Sequence, residues 1–188
     1  MINHRNTLWG LAAFMSLMLL IGIGISPLAK AASKEAIDTA VNQAMANFNH
    51  EVQGAAGLLK SAKGVLVFAG VIKAGFGIGG EYGEGSLRSH GKTAGYYSIG
   101  AASIGFQLGV QKKDVILVFM QDAALNDFQE SDGWKVGVDG SVAIVKVGAG
   151  GAIDSETLKK PILAFIVGQK GLMYNLTLEG SKITTLQR

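Results

Sequence analysis

The sequence predicts an α+β domain in which an N-terminal amphipathic helix packs on a curved, mainly antiparallel sheet. The sheet is expected to be a partly closed barrel of seven or more short strands. Three observations predict this. A 3-4 apolar spacing runs from Ile37 to Leu59. After Gly64 the apolar period changes to short runs and strict alternation. Glycine, at 27 of 188 residues, is about twice as frequent as usual and sits inside apolar text rather than beside Pro or Ser. Glycine within strands permits sharp coiling and close backbone approach, which closure of a sheet requires.

The first residues stand apart from this domain. His4 and Arg5 precede an almost wholly apolar run, Leu8 to Ile25, followed by Pro27 and by Ala29-Lys30-Ala31. This is the anatomy of a secretory signal peptide over residues 1–31 with an A-x-A cleavage site. The run borders on spanning length, so the alternative is an uncleaved anchor; the Pro and the alanines that follow it favour cleavage. The protein is therefore expected to be exported, periplasmic or envelope-associated. No cysteine is present, which excludes a lipoprotein attachment site and any disulfide. Residues 32–188 then form a single domain long enough to bury a core. Loss of Arg5 and Lys30 brings the net charge from +3 to +1, so the basic balance is a weak argument for nucleic acid, and none is expected as a partner.

Ser33 is placed to cap the helix. Ile37, Val41, Met45, Phe48, Val52, Ala55 and Leu59 fall on one helical stripe, and Gly54 and Gly57 should end or bend it. Its opposite face is Asn, Gln and mixed charge, so the helix is expected to pack on the sheet rather than lie on a membrane. Val65 to Phe68 and Thr93 to Ile99 read as strands. Ile104, Phe106, Leu108 and Val110 alternate with Gly105, Gln107, Gly109 and Gln111, the period of a half-covered strand. Asp114 to Met120 reads as a strand covered on both faces, with a hairpin turn expected at Lys112-Lys113-Asp114. Asp122 should cap a short helix carrying Leu125 and Phe128. Trp134 to Val138 and Val142 to Val147 are expected to pair around Asp139-Gly140, with Gly148 to Gly151 a flexible connection. Ile162 to Val167 is a strand that Gly168 to Gly171 should turn back. Leu172, Tyr174, Leu176 and Leu178 then alternate, and a turn at Gly180-Ser181 leads to Ile183.

Motifs of chemistry fail one by one. Gly75-Phe76-Gly77-Ile78-Gly79-Gly80 has the letters of a dinucleotide fingerprint. The residues after it, Glu81-Tyr82-Gly83-Glu84-Gly85, are a poor helix start and put two carboxylates where phosphate would sit. Gly91-Lys92-Thr93 lacks the first glycine of a phosphate loop, since position 86 is Ser86. His50-Glu51 has no second histidine at the required step, where Gly54 stands. Ser103 runs into a strand pattern rather than a helix, unlike a nucleophile elbow. The acidic segment Asp122 to Asp139 breaks a calcium-loop pattern at its first ligand, Phe128, and reads as a solvated acidic face, with loose calcium contact as the alternative. No metal, cofactor or catalytic set is expected. An enzyme would need a pocket joining Glu81, Glu84 or His90.

The lysines fall near expected turns, where a folded sheet could gather them at one rim to attract anions or lipid headgroups. Lys63, Lys73 and Arg88 are the first choices for lipid or anion contact, with Lys60 and Lys170 behind them.

Three ordered blocks resemble the SYLF domain family. They are Ala62-Lys63-Gly64-Val65 through Lys73-Ala74-Gly75-Phe76 with Gly79-Gly80 and Gly83-x-Gly85; Gln107-x-Gly109-x-Gln111 with Asp114-Val115-Ile116-Leu117; and Lys170-Gly171-Leu172 with Leu178-Glu179-Gly180-Ser181. The resemblance covers Ser33 to Arg188 and is to an exported bacterial member. It implies a non-enzymatic lipid-binding module for acidic phospholipid or phosphoinositide-like headgroups at a membrane surface. Some eukaryotic members bind actin, which is not expected as a partner in an exported bacterial setting. The basic helix of the eukaryotic lipid site is much less basic here, with Lys34 and Lys60 at its ends. The alternative is a cell-envelope structural or protein-interaction domain without lipid selectivity, whose protein partner the sequence does not identify.

Overall fold

A computed structural model describes residues 31–145, 155–171, 178 and 180–188. The expected signal peptide lies outside the described residues up to residue 30. So do the end of the strand begun at Val142, the connection at Gly148 to Gly151, and the alternating run from Leu172 to Thr177. The side chains of Ile104, Phe106 and Leu108 are also outside them. Chain order is α1 (Lys34–Glu51), α2 (Ala55–Ser61), β1 (Gly64–Ser89), β2 (Lys92–Phe119), α3 (Asp122–Glu130), β3 (Trp134–Lys135), β4 (Val142–Val145), α4 (Ser155–Leu158), β5 (Ile162–Gly171) and β6 (Lys182–Leu186).

The helix forms where the 3-4 spacing places it. Ser33 accepts the Ala36 amide at 3.2 Å as N-cap, and Gly54, at φ +85°, separates α1 from α2. Gly57 lies within α2. The buried stripe is Ile37, Val41, Ala44, Phe48, Val52, Ala55 and Leu58, with Met45 and Leu59 at its margin.

The sheet is mixed, eight-stranded and strongly curled into a half-barrel. Among the described residues six continuous runs of strand build it, in the order β3-β6-β2-β5-β4, with β1 also on β2. β1 and β2, of 26 and 28 residues, form one antiparallel hairpin closed at His90-Gly91. On its other edge β2 pairs with β6 over Tyr96 to Gly100 and with β5 over Gln111 to Phe119. Among the described strand pairings, that of β4 with β5 is parallel and the others are antiparallel.

A strand of 26 residues is longer than the domain is wide, so β1 folds back over itself. A Cβ at Gly85 would sit on the Val67 carbonyl, and one at Gly83 would come within 2.7 Å of Val71 Cγ2. Glycine is required there because two arms of one strand cross with no room for a side chain. The crossing makes a two-sided sheet. The inner side of the curl holds Leu66, Phe68, Val71, Leu87, Ile99, Val115 and Leu117 against α3 and Trp134. There Phe128 packs against Tyr97, Phe119 and Trp134 with ring centroids 5.1 to 5.6 Å apart. The outer side presents Val65, Val67, Ile116, Val118, Leu163, Phe165 and Val167 to the α1 stripe. Phe48 meets Phe165 edge-on at 4.9 Å.

Three expected turns are corrected. Lys112-Lys113-Asp114 is not a turn; β2 runs straight through it, and the irregularity is a bulge in its neighbours. Gly168 to Gly171 does not turn back; Gly168, at φ +62°, is a bulge and β5 continues to Gly171. Asp139-Gly140 does not join a hairpin. Asp139 Oδ2 accepts the Lys135 amide at 2.6 Å and makes a local loop, while β3 pairs with β6 and β4 with β5. Asp122 is the first residue of α3, with Gln121 in the cap position. Leu125 and Phe128 are buried as expected.

Candidate functional site

The outer side of the sheet has two zones. α1 covers one, and the other lies beyond two bulges. Gly70, at φ +68°, shifts the phase of β1, and Gly168 shifts that of β5. A bulge inserts one residue and so exchanges the faces of everything after it. Before Gly70, Leu66 and Phe68 point into the curl; after it, Val71 and Lys73 do. Ile72 is thereby turned outward. It lies opposite Lys112 on β2, which lies opposite Lys170 on β5.

This outer end is apolar and open. Ile72 is 52 % exposed, Val110 61 %, Ile78 73 % and Tyr82 56 %. Single exposed apolar side chains are ordinary, but Ile72, Val110 and Ile78 beside two lysines are a patch, whereas Tyr82 lies on the returning arm of β1 opposite Gly100. The face assignment expected for the alternating strand is inverted at its end: Val110 points out and Gln111 is buried. Lys112 and Lys170 are direct cross-strand neighbours of like charge, an arrangement that is unfavourable without negative charge nearby.

That negative charge lies in a cleft of about 500 Å3 where the flank of α1 meets the bulges. Gln43, Asn47 and Glu51 line it from the helix, and Gly70, Lys112, Asp114, Gly168 and Lys170 from the sheet. Asp114 Oδ1 accepts the Gly70 amide at 2.7 Å, and Glu51 Oε2 accepts the Gly168 amide at 3.3 Å. The carboxylates thus hold the bulge amides that the sheet ladder leaves free. Burial pushes the Asp114 carboxyl above the usual range, and the Gly70 amide and Lys112 partly offset this. The four formal charges of the cleft cancel at neutral pH.

The five residues expected to contact an anion go to two places. Lys63 pairs with Asp122 at 3.4 Å, beside Ser89, whose Oγ donates to the Lys63 carbonyl at 3.0 Å. Arg88 donates to Asp38 and to Asn42, both at 3.1 Å. Asp38 also takes hydrogen bonds from Ser86, Thr93 and Tyr96, and so ties α1 to the β1–β2 hairpin. Lys60 is exposed on the last turn of α2. These three stand at the end where the hairpin begins and closes. Lys73 and Lys170 stand at the bulged end, Lys73 inside the curl and Lys170 outside it. The structure brings Lys170 together with Lys112, which sequence reasoning did not single out because it read that segment as a turn. Val110-x-Lys112, alternating in step, was the signal available.

The residues that an enzyme would have needed together lie apart. Glu81 points into the curl, Glu84 to the outer face and His90 to the hairpin turn. Gly75 to Gly80 lies within β1, not at a helix start. Among the described residues no group of three or more His, Cys, Asp or Glu could hold a metal ion.

Residues 100–188 match the model of a family described as Ysc84: Las17-binding protein actin regulator. The matched segment contains Val110, Lys112, Asp114 and Lys170 and begins beyond Ile72, Ile78 and Tyr82. No curated protein matches the chain.

Proposed function

We propose that this chain, whose residues 100–188 belong to the Ysc84 (SYLF) family of lipid- or actin-related binding modules, is a non-enzymatic module that docks on acidic membrane. The single observation carrying this reading is the open outer end of the sheet, where the exposed Ile72 and Val110, with Ile78 further along β1, stand beside the paired Lys112 and Lys170.

The physics of the surface favours a lipid interface. Apolar side chains that water half covers gain free energy on entering the acyl boundary. Each lysine near an anionic leaflet contributes about 1 kcal/mol. An acidic headgroup beside Lys112 and Lys170 adds to the offset of their mutual repulsion that Asp114 and Glu51 begin, which a neutral headgroup does not. Lysine stems of this length also lie along apolar surface while their ammonium groups stay with the headgroups. Of the five residues expected to contact an anion, Lys170 belongs to this surface directly. Lys63 and Arg88 are engaged in ion pairs at the opposite end. The leader-like residues 1–31 support an exported, envelope-associated setting in which phospholipid headgroups are the anionic surface.

Vesicle co-sedimentation tests the reading. The chain should pellet with vesicles containing phosphatidylglycerol, less so as salt rises, and stay in solution with phosphatidylcholine alone. Equal absence of binding to both removes the lipid reading. Co-purification of a specific protein without lipid selectivity would replace it with a protein-interaction domain of the envelope.

A further inference from the structure

The start of the described domain meets a carboxylate far along the chain. Ala31 is exposed, while Ala32 is partly buried and packs against the core between α1 and the outer side of the sheet. The Ala32 amide donates to Glu84 Oε2 at 3.2 Å. Glu84 stands on the returning arm of β1, in register with Ser98. Its other oxygen, Oε1, accepts the Tyr82 hydroxyl at 2.9 Å and Arg188 Nη2 at 2.7 Å. The ion pair is well shielded, with 13 % of the Glu84 side chain and 16 % of the Arg188 side chain exposed. One carboxylate thus gathers the start of α1, the arm of β1 and the chain beyond β6.

The bond that the Ala29-Lys30-Ala31 motif marks for cleavage is the one between Ala31 and Ala32. The nitrogen already aimed at Glu84 Oε2 is therefore the nitrogen that cleavage turns into an α-ammonium. Sequence motif and geometry select the same atom independently. Because Ala31 is exposed, its removal opens no cavity, and the change is one of charge. A neutral amide donor becomes a cation, and a charge-assisted hydrogen bond is roughly twice as strong as a neutral one. A cation directly before Ser33, the N-cap, also opposes the α1 macrodipole. Glu84, with Glu35 in the first turn, supplies the negative charge that offsets it.

We infer that Glu84 is the receptor for the α-amino group created when the leader is removed after Ala31. Processing then completes the fold, by turning an amide contact into an ion pair that clasps α1 to β1 and to Arg188. In the uncleaved chain the same atom is held as an amide, and the clasp is weaker. The inference rests on the cleavage that the leader motif sets. It is independent of membrane docking, since Ala32, Glu84 and Arg188 do not line the cleft of Lys112 and Lys170.

The exported chain, purified after processing, tests it in two steps. N-terminal sequencing should read Ala32-Ser33-Lys34-Glu35; a chain that keeps its leader, or begins elsewhere, overturns the inference. Acetylation confined to the α-amino group then removes the charge and restores an amide at the same atom. It should lower the melting temperature by about 2–4 °C. In Glu84→Gln, which keeps the side-chain shape, the same acetylation should leave melting unchanged or raise it, because the unpaired cation opposes the helix dipole. Glu35→Gln alters an exposed side chain and should keep the shift, which separates Glu84 from the first-turn carboxylate even if Glu84→Gln fails to fold. No effect of acetylation on the unaltered chain, an undiminished shift in Glu84→Gln, or its loss in Glu35→Gln overturns the inference while leaving the cleavage site standing.

Discussion

The outer side of one sheet carries two zones built on the same three strands, and they differ in what covers them. On one, Val65, Val67, Ile116, Val118, Leu163, Phe165 and Val167 receive the apolar stripe of α1. On the other, Ile72 and Val110 are left exposed, and Lys112 and Lys170 share a cleft with the polar flank of α1. The boundary is formed by two glycine bulges, Gly70 and Gly168, whose amides are held by Asp114 and Glu51. Without the bulge, Ile72 would follow Leu66 and Phe68 into the curl and Lys73 would point to water. The bulges therefore exchange an ordinary pattern for its reverse: an aliphatic outside and a lysine inside. The open zone is a consequence of backbone phase, not a failure of the helix to reach.

The comparison can be broken first where packing is deepest. Phe48→Ala, in the covered zone, should cost about 3–5 kcal/mol of stability in chemical denaturation, because it opens a cavity against Phe165. The folded fraction should still bind acidic vesicles normally. Gly85→Ala should cost about 3 kcal/mol or more, since its methyl group meets the Val67 carbonyl where the arms of β1 cross. That loss strikes both zones, because both depend on the curl.

Changes in the open zone should have the opposite signature. Replacing Lys112 and Lys170 together by Ala should leave stability within about 0.5 kcal/mol. The same change should weaken partition onto phosphatidylglycerol vesicles about 30-fold, the equivalent of about 2 kcal/mol for two lysines. A double variant that binds like the unaltered chain removes the lysines from the account.

The smallest effect is in pH. Asp114 has a carboxyl raised by burial, so the folded state holds its proton more tightly than the unfolded chain does. Its contribution to stability is present below the unfolded value and is lost as pH rises through the raised folded value. At neutral pH the ionised group is therefore a mild burden that Asp114→Asn should relieve. As pH falls through the raised value, the cleft gains a net positive charge, and vesicle binding should strengthen by about 1 kcal/mol. In Asp114→Asn, binding should already be stronger at neutral pH, with that step gone from the profile.

Legibility followed the range of the forces involved. Ser33, the 3-4 stripe and the break at Gly54 are local, and the helix formed where they placed it. Its buried edge rotated to Ala44 and Leu58, because the facing sheet chooses which flank is covered. Apolar runs such as Val65 to Phe68 and Ile162 to Val167 were legible as strands. Their connections were not. Glycine at positive φ serves a turn and a bulge equally well, so Gly168 read as a reversal and proved to be a shift of phase. Lys112 to Asp114 read as a turn because polar residues cluster there, but their partners lie on distant strands. The inward lysines and glutamines were illegible for the same reason. Alternation shows that two faces differ, and only the bulge at Gly70 determines which face points inward. Lys170 could be chosen from sequence; its partner Lys112 required the register.

The most direct test uses a property of the chain itself. It contains no cysteine, so Ile78→Cys, in the open zone, and Thr39→Cys, on the exposed flank of α1, each create a unique site for an environment-sensitive fluorophore. With phosphatidylglycerol vesicles, the label at position 78 should shift to the blue and become protected from an aqueous quencher, while the label at position 39 stays in water. A shift at position 39 without one at position 78, or none at either, would contradict the account.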